Sequence, residues 1–129
     1  VLDSLIAGKA AARASEHQRA EIQNLVSRIV EARDACDEAL FMSADHDCDL
    51  LLAEAAHNPY AAQASAMLHS HCRRFWFRYR GPNDLAESAK LHLLVLENVV
   101  HGEAESAEQA SSDLSDYLEA FARRVVASF

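Results

Sequence analysis

Apolar residues recur at helical spacing along nearly the whole sequence, and this periodicity limits the fold more than any other feature. Ile22, Leu25 and Ile29 begin one series, which continues through Cys36 to Leu40. Side chains three or four residues apart share one face of an α-helix. Residues that interrupt helices are rare, since the chain has 3 glycines and 2 prolines. The sequence therefore predicts an all-α fold.

Short breaks between these series predict a bundle of about six helices in one domain that covers residues 1–129. The predicted helices span roughly residues 2–14, 15–40, 43–57, 59–79, 84–101 and 103–127. Ser15, Ser43 and Asp84 are the expected N-caps, and Gly102 suits the left-handed end of the fifth helix. Links this short favour antiparallel packing of neighbouring helices.

Charge and cysteine usage narrow the class of protein. The formal net charge is −8, so the chain is not expected to bind nucleic acid by itself. No apolar stretch approaches the length of a transmembrane helix. Cys36, Cys48 and Cys72 are widely spaced, which indicates buried thiols in a reducing cytoplasm. Because the chain starts at Val1 without a methionine, we expect it to be a piece of a longer protein.

Two carboxylates, Asp45 and Asp49, lie one helical turn apart in the third predicted helix. The same face continues into apolar residues, so these carboxylates need a cation, a hydrogen-bond donor or water. A simpler interpretation is also open. If Ser43 caps this helix, Asp45 and Asp47 lie in its first turn, where acidic side chains interact favourably with the helix dipole.

The fifth predicted helix places His92 on an apolar stripe with Leu85 and Ala89. A metal site between helices needs three or four converging ligands, and Asp45, Asp49 and His92 could supply three of them. Carboxylate and imidazole ligands favour zinc, manganese, nickel or iron(II) over copper(I). The alternative is a core histidine whose hydrogen bonds are satisfied internally, which is the commoner role.

Motifs of known enzymes are not legible in the sequence. Glu54 and His57 have the Glu-x-x-His spacing of di-iron bundles, but that architecture needs two such motifs and two further glutamates. The sequence has neither a glycine-rich phosphate loop nor a nucleophile triad. We therefore predict that the chain is not an enzyme, with a metal-dependent helical-bundle enzyme as the alternative.

Arginines are concentrated near the end of the fourth predicted helix. Four of the 12 Lys and Arg residues fall in this short segment: Arg73, Arg74, Arg78 and Arg80. If Leu68 and Phe75 form the buried stripe, then His71, Arg74 and Arg78 form a second stripe beside it. Arginine pairs well with carboxylates, so these three are the predicted effector-binding residues for a small carboxylate. The alternative is a solvated face whose long stems cover apolar surface.

The order of several short motifs resembles the FCD domain, the C-terminal effector-binding and dimerisation domain of FadR-type GntR transcription regulators. The motifs are AARAS, then D-x-x-x-D running into LAEAAHNPY, then LH-x-x-V-x-x-x-V-x-x-G-E-x-x-x-A. The resemblance covers nearly the whole chain. It implies a helical bundle that forms a homodimer in a cytoplasmic bacterial regulator. It also implies a small organic acid bound inside the bundle and a winged helix-turn-helix DNA-binding domain that precedes Val1.

Many members of this family hold a divalent metal through one Asp and three His, and the resemblance carries this set over only in part. The family's Asp falls on Asp45, and one His falls on His92. The other two His positions hold Asp49 and Leu114. Asp113 could complete the set only if the last helix were rotated by about 100°. Two alternatives remain: a zinc, nickel or manganese site at Asp45, Asp49, His92 and Asp113, or a metal-free pocket in which arginine binds the anion.

These observations together predict a ligand-sensing regulatory domain whose pocket is walled by the third to sixth helices. Such a domain controls DNA binding only if its effector binds the DNA-competent and incompetent forms with different affinities. A structural dimerisation module without a ligand is the remaining alternative.

Overall fold

The computed structural model describes residues 2–129, which form six α-helices joined by short links. The helices are α1 (Leu2–Arg13), α2 (Glu16–Asp34), α3 (Glu38–Ala56), α4 (Pro59–Tyr79), α5 (Asp84–Val100) and α6 (Ala104–Ala127). No strand occurs in this range, so the prediction of an all-α bundle is confirmed. None of the six helices is long and apolar enough to cross a membrane.

The alanine-rich helix α1 is buried among its neighbours. It packs on α3, α4, α5 and α6, and it buries the small side chains of Ala7, Ala10 and Ala11. A Cβ atom at Gly8 would collide with the Glu108 side chain of α6. Small residues on α1 therefore let the surrounding helices approach closely, as dense packing of a helical core requires.

The largest fully buried apolar side chains form the framework of the core. They are Ile22, Ile29, Phe41, Leu96, Val99 and Phe121. They belong to α2, α3, α5 and α6, and these helices pack on one another as α2 on α3, α2 on α5 and α5 on α6. Burying a side chain of this size stabilises a fold by about 1.5–3 kcal/mol.

The boundary between α2 and α3 differs from the prediction. α2 ends at Asp34 and does not continue through Cys36 to Leu40, because Cys36 has a left-handed backbone with φ of 52°. The side chain of Asp37 then accepts a hydrogen bond from the N–H of Leu40 at 3.0 Å. Asp37, and not Ser43, is the N-cap of α3.

This earlier start of α3 changes the interpretation of the acidic residues. Asp45 lies about two turns inside α3, away from the N-terminal end where the helix dipole acts. The dipole interpretation of Asp45 and Asp47 is therefore wrong. Asp47 instead pairs with Arg28 of α2 at 2.8 Å.

Most other predicted helix ends are confirmed. Ser15 forms a capping box with Gln18, and Gly102 has a left-handed backbone with φ of 72°. Asp84 is the exception, because it is the first residue of α5 and not its N-cap. Its Oδ2 accepts a hydrogen bond from the N–H of Gly81 at 2.7 Å.

The three cysteines are free thiols. The prediction that they are buried is confirmed for Cys48 and wrong for Cys36 and Cys72, which are exposed. Cys36 is exposed because it lies in the turn between α2 and α3.

Candidate functional site

A cavity of about 210 Å³ lies between α1 and the four helices α3–α6. A space of about 10–15 Å³ holds one water molecule, so this cavity is far larger than a packing defect. Much of its wall is apolar and includes Ile6, Phe41, Trp76, Leu114 and Leu118. The predicted walls, from the third to the sixth helix, are confirmed, and α1 adds a fifth.

Five ionisable side chains on the wall of this cavity form one group, which we call the Asp45 cluster. They are Asp45 and Asp49 of α3, His69 and Arg73 of α4, and His92 of α5. Nε2 of His92 lies 2.8 Å from Oδ1 of Asp45. Nη1 of Arg73 donates a hydrogen bond to Oδ2 of Asp49 and lies 3.8 Å from Oδ2 of Asp45.

Helical spacing brings these side chains together. Asp45 and Asp49 are one turn apart on α3, and His69 and Arg73 are one turn apart on α4. Because α3 packs against α4, the acidic pair meets the basic pair across one helix interface. Nδ1 of His69 lies 3.4 Å from Oδ2 of Asp49. His92 reaches the same place from α5.

The ring of His92 is fixed from both sides. Its Nδ1 donates a hydrogen bond to the carbonyl oxygen of Ser88 at 2.7 Å, and a carbonyl oxygen can only accept. Its Nε2 faces Asp45. The ring of Phe41 packs edge-on against the imidazole with centroids 5.3 Å apart. The structure thus confirms that His92 points into the interior of the bundle.

Contacts within the Asp45 cluster shift the pKa values of its members. Burial raises the pKa of Asp45, but His92 and Arg73 outweigh burial and hold this pKa below its ordinary value of 3.8. Burial lowers the pKa of His92, but Asp45 outweighs it and raises this pKa above 6.5. Both shifts favour the charged forms of Asp45 and His92. Burial and the adjacent Asp45 raise the pKa of Asp49 to about 6.

Helix α1 contributes Asp3 to the edge of the Asp45 cluster. Nε2 of His69 lies 2.5 Å from Oδ1 of Asp3. This hydrogen bond raises the pKa of His69 above 6.5, although burial opposes the shift. His69 therefore bridges Asp3 and Asp49 and links α1, α3 and α4.

Three of the four predicted metal ligands lie in the Asp45 cluster, and Asp113 does not. The side chain of Asp113 is exposed and accepts a hydrogen bond from Gln109 at 2.9 Å. Leu114 lines the cavity in its place, because α6 is not rotated in the way that a ligand at Asp113 would need.

The donor atoms of the Asp45 cluster do not fit a divalent metal. The guanidinium of Arg73 already contacts Asp49 and approaches Asp45. Within residues 2–129, no group of three or more His, Cys, Asp or Glu side chains is arranged to hold a metal ion. The Glu54 and His57 motif offers no substitute, since both residues are exposed.

The predicted effector-binding residues lie outside the cavity. His71, Arg74 and Arg78 are exposed, and Nη2 of Arg74 donates a hydrogen bond to Nδ1 of His71 at 2.7 Å. The prediction assumed that Leu68 faces the core, but Leu68 is 61% exposed. The inward arginine is Arg73, one position earlier, which corresponds to a rotation of α4 by about 100°.

His69 and Arg73 are the site residues that sequence reasoning missed. Their four-residue spacing is the same as that of Asp45 and Asp49, which need cationic partners if they are buried. Matching the two spacings points to His69 and Arg73 but does not single them out, because Arg74 and Arg78 are also four residues apart.

Comparison with known proteins identifies a family for this chain. A family model described as the FCD domain matches residues 1–116, a segment that contains α1 to α5 and the first part of α6. All five residues of the Asp45 cluster lie within it. No curated protein matches the chain.

Proposed function

The chain belongs to the FCD domain family, the effector-binding regulatory domains of GntR-type transcription regulators, and we propose that it senses a small organic acid. In this proposal, binding of the acid controls the DNA affinity of a larger, FadR-type cytoplasmic regulator. The net charge of −8 disfavours contact between this domain and phosphates. DNA contact is therefore assigned to a winged helix-turn-helix domain outside this chain.

Arg73 carries the proposal. Its side chain lines the cavity and is 15% exposed. Among residues 2–129, its guanidinium donates a hydrogen bond to one residue, Asp49, whereas a guanidinium has five N–H donors. The remaining donors can bind a carboxylate through two parallel hydrogen bonds, and charge-assisted bonds of this kind are about twice as strong as neutral ones.

An incoming carboxylate would compete with Asp49 for Arg73. Asp49 is the more exposed partner of the acidic pair, with 27% of its side chain accessible against 12% for Asp45. Asp49 can therefore turn towards water while Asp45 stays paired with His92. This exchange would keep positive and negative charges balanced at Arg73.

The rest of the cavity suits the apolar part of a small acid. Trp76, Leu114 and Leu118 provide apolar wall, and Ser111 and Ser115 of α6 add hydroxyl groups. Pockets of this kind, largely apolar with a few polar groups that fix orientation, are typical of sites for small molecules. The volume of about 210 Å³ limits the effector to a small metabolite.

Regulation follows from the position of the cavity between five helices. An acid that contacts Arg73 on α4 and the wall formed by α6 stabilises the arrangement of helices in which both contacts are made. The effector changes DNA affinity only to the extent that it binds the two arrangements of the regulator differently.

A thermal-shift screen of small organic acids, each paired with its neutral amide, tests the proposal. A ligand that binds only the native state stabilises it by about 2.7 kcal/mol at a concentration of 100 times its Kd, so acids but not amides should raise Tm. Arg73→Lys keeps the charge but loses the planar fork, so affinity should fall by about tenfold. Asp49→Asn removes the competing carboxylate and should tighten binding.

Arg74→Lys is the matched control, because Arg74 is the exposed neighbour of Arg73. This variant should respond to the acids like the parent protein. The proposal is wrong if amides stabilise the parent as well as acids do, or if Arg73→Lys and Arg74→Lys respond alike.

Homodimer formation is also part of the proposal. Tyr60, Met67 and Leu68 on α4 are 84%, 72% and 61% exposed, and a second copy of the chain could cover this apolar surface. Light scattering that gives a monomer would contradict this part of the proposal.

A further inference from the structure

We propose that Arg73 takes the place of a divalent metal ion in this domain and keeps metals out of the Asp45 cluster. The inference concerns the charge that holds Asp45 and Asp49 together. It holds whether or not the effector is an organic acid.

The acidic pair requires a cation at this position. The side chains of Asp45 and Asp49 are 12% and 27% exposed and lie one turn apart on the same helix. Two carboxylates this close and this buried are costly without an opposite charge. Nη1 of Arg73 contacts Asp49, lies 3.8 Å from Asp45 and belongs to a side chain that is itself 15% exposed. The guanidinium therefore already meets the requirement.

A metal bridging the same carboxylates would occupy the space of that guanidinium. Metal–oxygen bonds to carboxylates are about 2.0–2.2 Å long for zinc, so an ion bound to Asp45 and Asp49 would lie in contact with Nη1 of Arg73. The ion and the guanidinium are both positive, and their repulsion is strong where water is largely excluded. Metal and Arg73 are therefore mutually exclusive at this site.

The other side chains around the Asp45 cluster do not supply free ligands that would favour a metal over Arg73. Nε2 of His92, the nitrogen that faces Asp45, already lies 2.8 Å from Oδ1 of that residue. α6 presents the apolar side chain of Leu114 to the cavity. If Arg73 were removed, however, Asp45, Asp49, His69 and His92 would be left as a group of oxygen and nitrogen donors without a cation.

The test compares the tag-free 129-residue chain with Arg73→Met, Arg73→Lys and Arg74→Met. Each protein is unfolded thermally in EDTA and in zinc, nickel or manganese, and its metal content is measured by elemental analysis. We expect no metal-dependent change in Tm for the parent, Arg73→Lys or Arg74→Met. Arg73→Met should be destabilised in EDTA, recover on adding metal, and bind it at least about tenfold more tightly than the parent.

Two further controls locate the metal. Manganese prefers oxygen ligands over thiolates, so a response to manganese excludes binding to the exposed Cys36 and Cys72. Asp49→Asn in the Arg73→Met background should abolish the gain, because it removes one carboxylate of the pair.

Each outcome decides the proposal. Stoichiometric metal in the parent, displaced by EDTA with a fall in Tm, overturns it. An Arg73→Met protein that is folded but gains no metal also overturns it, since something other than Arg73 would then exclude the ion. If Arg73→Met folds only when metal is present, the proposal is supported. If it fails to fold even with metal while Arg73→Lys folds normally, the proposal is wrong.

Discussion

Asp45 and Asp84 are two aspartates with nearly the same burial and different surroundings. Their exposed fractions are 9% and 8%. Asp84 accepts hydrogen bonds from the N–H of Gly81 at 2.7 Å, the hydroxyl of Tyr117 at 3.1 Å and the guanidinium of Arg124 at 3.2 Å. Two of these donors are neutral, and the side chain of Arg124 is 64% exposed.

Asp45 depends instead on cations that are themselves buried. The side chains of His92 and Arg73 are 13% and 15% exposed, and both line the cavity. Asp84 links α6 to the turn that precedes α5. It does not line that cavity. Burial alone therefore does not distinguish a carboxylate at a candidate site from one that stabilises a turn. The charge and burial of its partners do.

The largest difference in stability between the two regions is expected when the arginine that contacts each aspartate is replaced. Arg73→Met leaves Asp45 and Asp49 without their buried cation, which should lower the free energy of unfolding by on the order of 3 kcal/mol. Arg124→Met should cost less than about 1 kcal/mol, because its ion pair with Asp84 is largely solvated. Urea unfolding in EDTA measures both values. Equal losses would contradict the distinction between the two aspartates.

The next largest difference in stability is expected when the aspartates themselves are replaced by Ala or Asn. Asp84→Ala leaves the N–H of Gly81 without its acceptor and leaves the hydroxyl of Tyr117 only the backbone carbonyl of residue 84, at 3.4 Å. It should cost about 2 kcal/mol. Asp84→Asn keeps an acceptor oxygen and should recover at least half of that loss. At Asp45, Asn should recover little relative to Ala, because an amide cannot balance the charges of His92 and Arg73. Equal recovery at both positions in urea unfolding would refute this prediction.

The dependence of stability on pH should give the smallest effect of the three. The pKa of Asp49 is about 6 in the folded protein and 3.8 in the unfolded chain. Protonated Asp49 therefore contributes to the stability of the fold at low pH, and this contribution is lost as pH rises from 3.8 towards 6. The raised pKa values of His69 and His92 stabilise the fold below 6.5, and this contribution is lost as pH rises through their folded values. Stability should therefore fall from about pH 5 to about pH 8, by less than the cost of Asp84→Ala.

Substitutions in the Asp45 cluster and near Asp84 show which region causes the pH dependence. Asp49→Asn should remove the part of the decline below about pH 6. His92→Gln should reduce the part above 6.5, to which His69 also contributes. In the Asp84 region, burial raises the pKa of Tyr117 to about 12, so its hydroxyl stays protonated and Tyr117→Phe should leave the slope unchanged. Urea midpoints at several pH values give the slopes. A flat profile in the parent protein would contradict the prediction.

The helices could be predicted from sequence because they depend on local spacing and local caps. The capping box at Ser15 and the left-handed Gly102 are examples. The one large error, at the end of α2, arose because apolar spacing continues through Cys36 to Leu40. The cap at Asp37 interrupts that spacing, and a short polar link can bring apolar residues of two helices into apparent register.

The candidate site could be predicted only in part, because it depends on how α4 is rotated against its neighbours. Asp45 and His92 follow from the spacing within their own helices. The inward face of α4 does not follow from hydrophobicity, since Leu68 is 61% exposed and Ser65 is 3% exposed. Ser65 can be buried because its hydroxyl donates to the carbonyl of Ala61 at 3.0 Å. The choice between Arg73 and Arg74 therefore required tertiary structure.

Trp76 allows the most direct test of the claim that Arg73 anchors an effector in the cavity. It is the single tryptophan of the sequence, is 3% exposed and lines the cavity, so its fluorescence reports on what binds there. An acid that raises Tm is titrated into the parent, Arg73→Lys and Arg74→Lys. We predict a saturable change in Trp76 emission in the parent and in Arg74→Lys, with affinity about tenfold weaker in Arg73→Lys. A stabilising acid that leaves Trp76 emission unchanged, or one that binds Arg73→Lys as tightly as the parent, would contradict the claim.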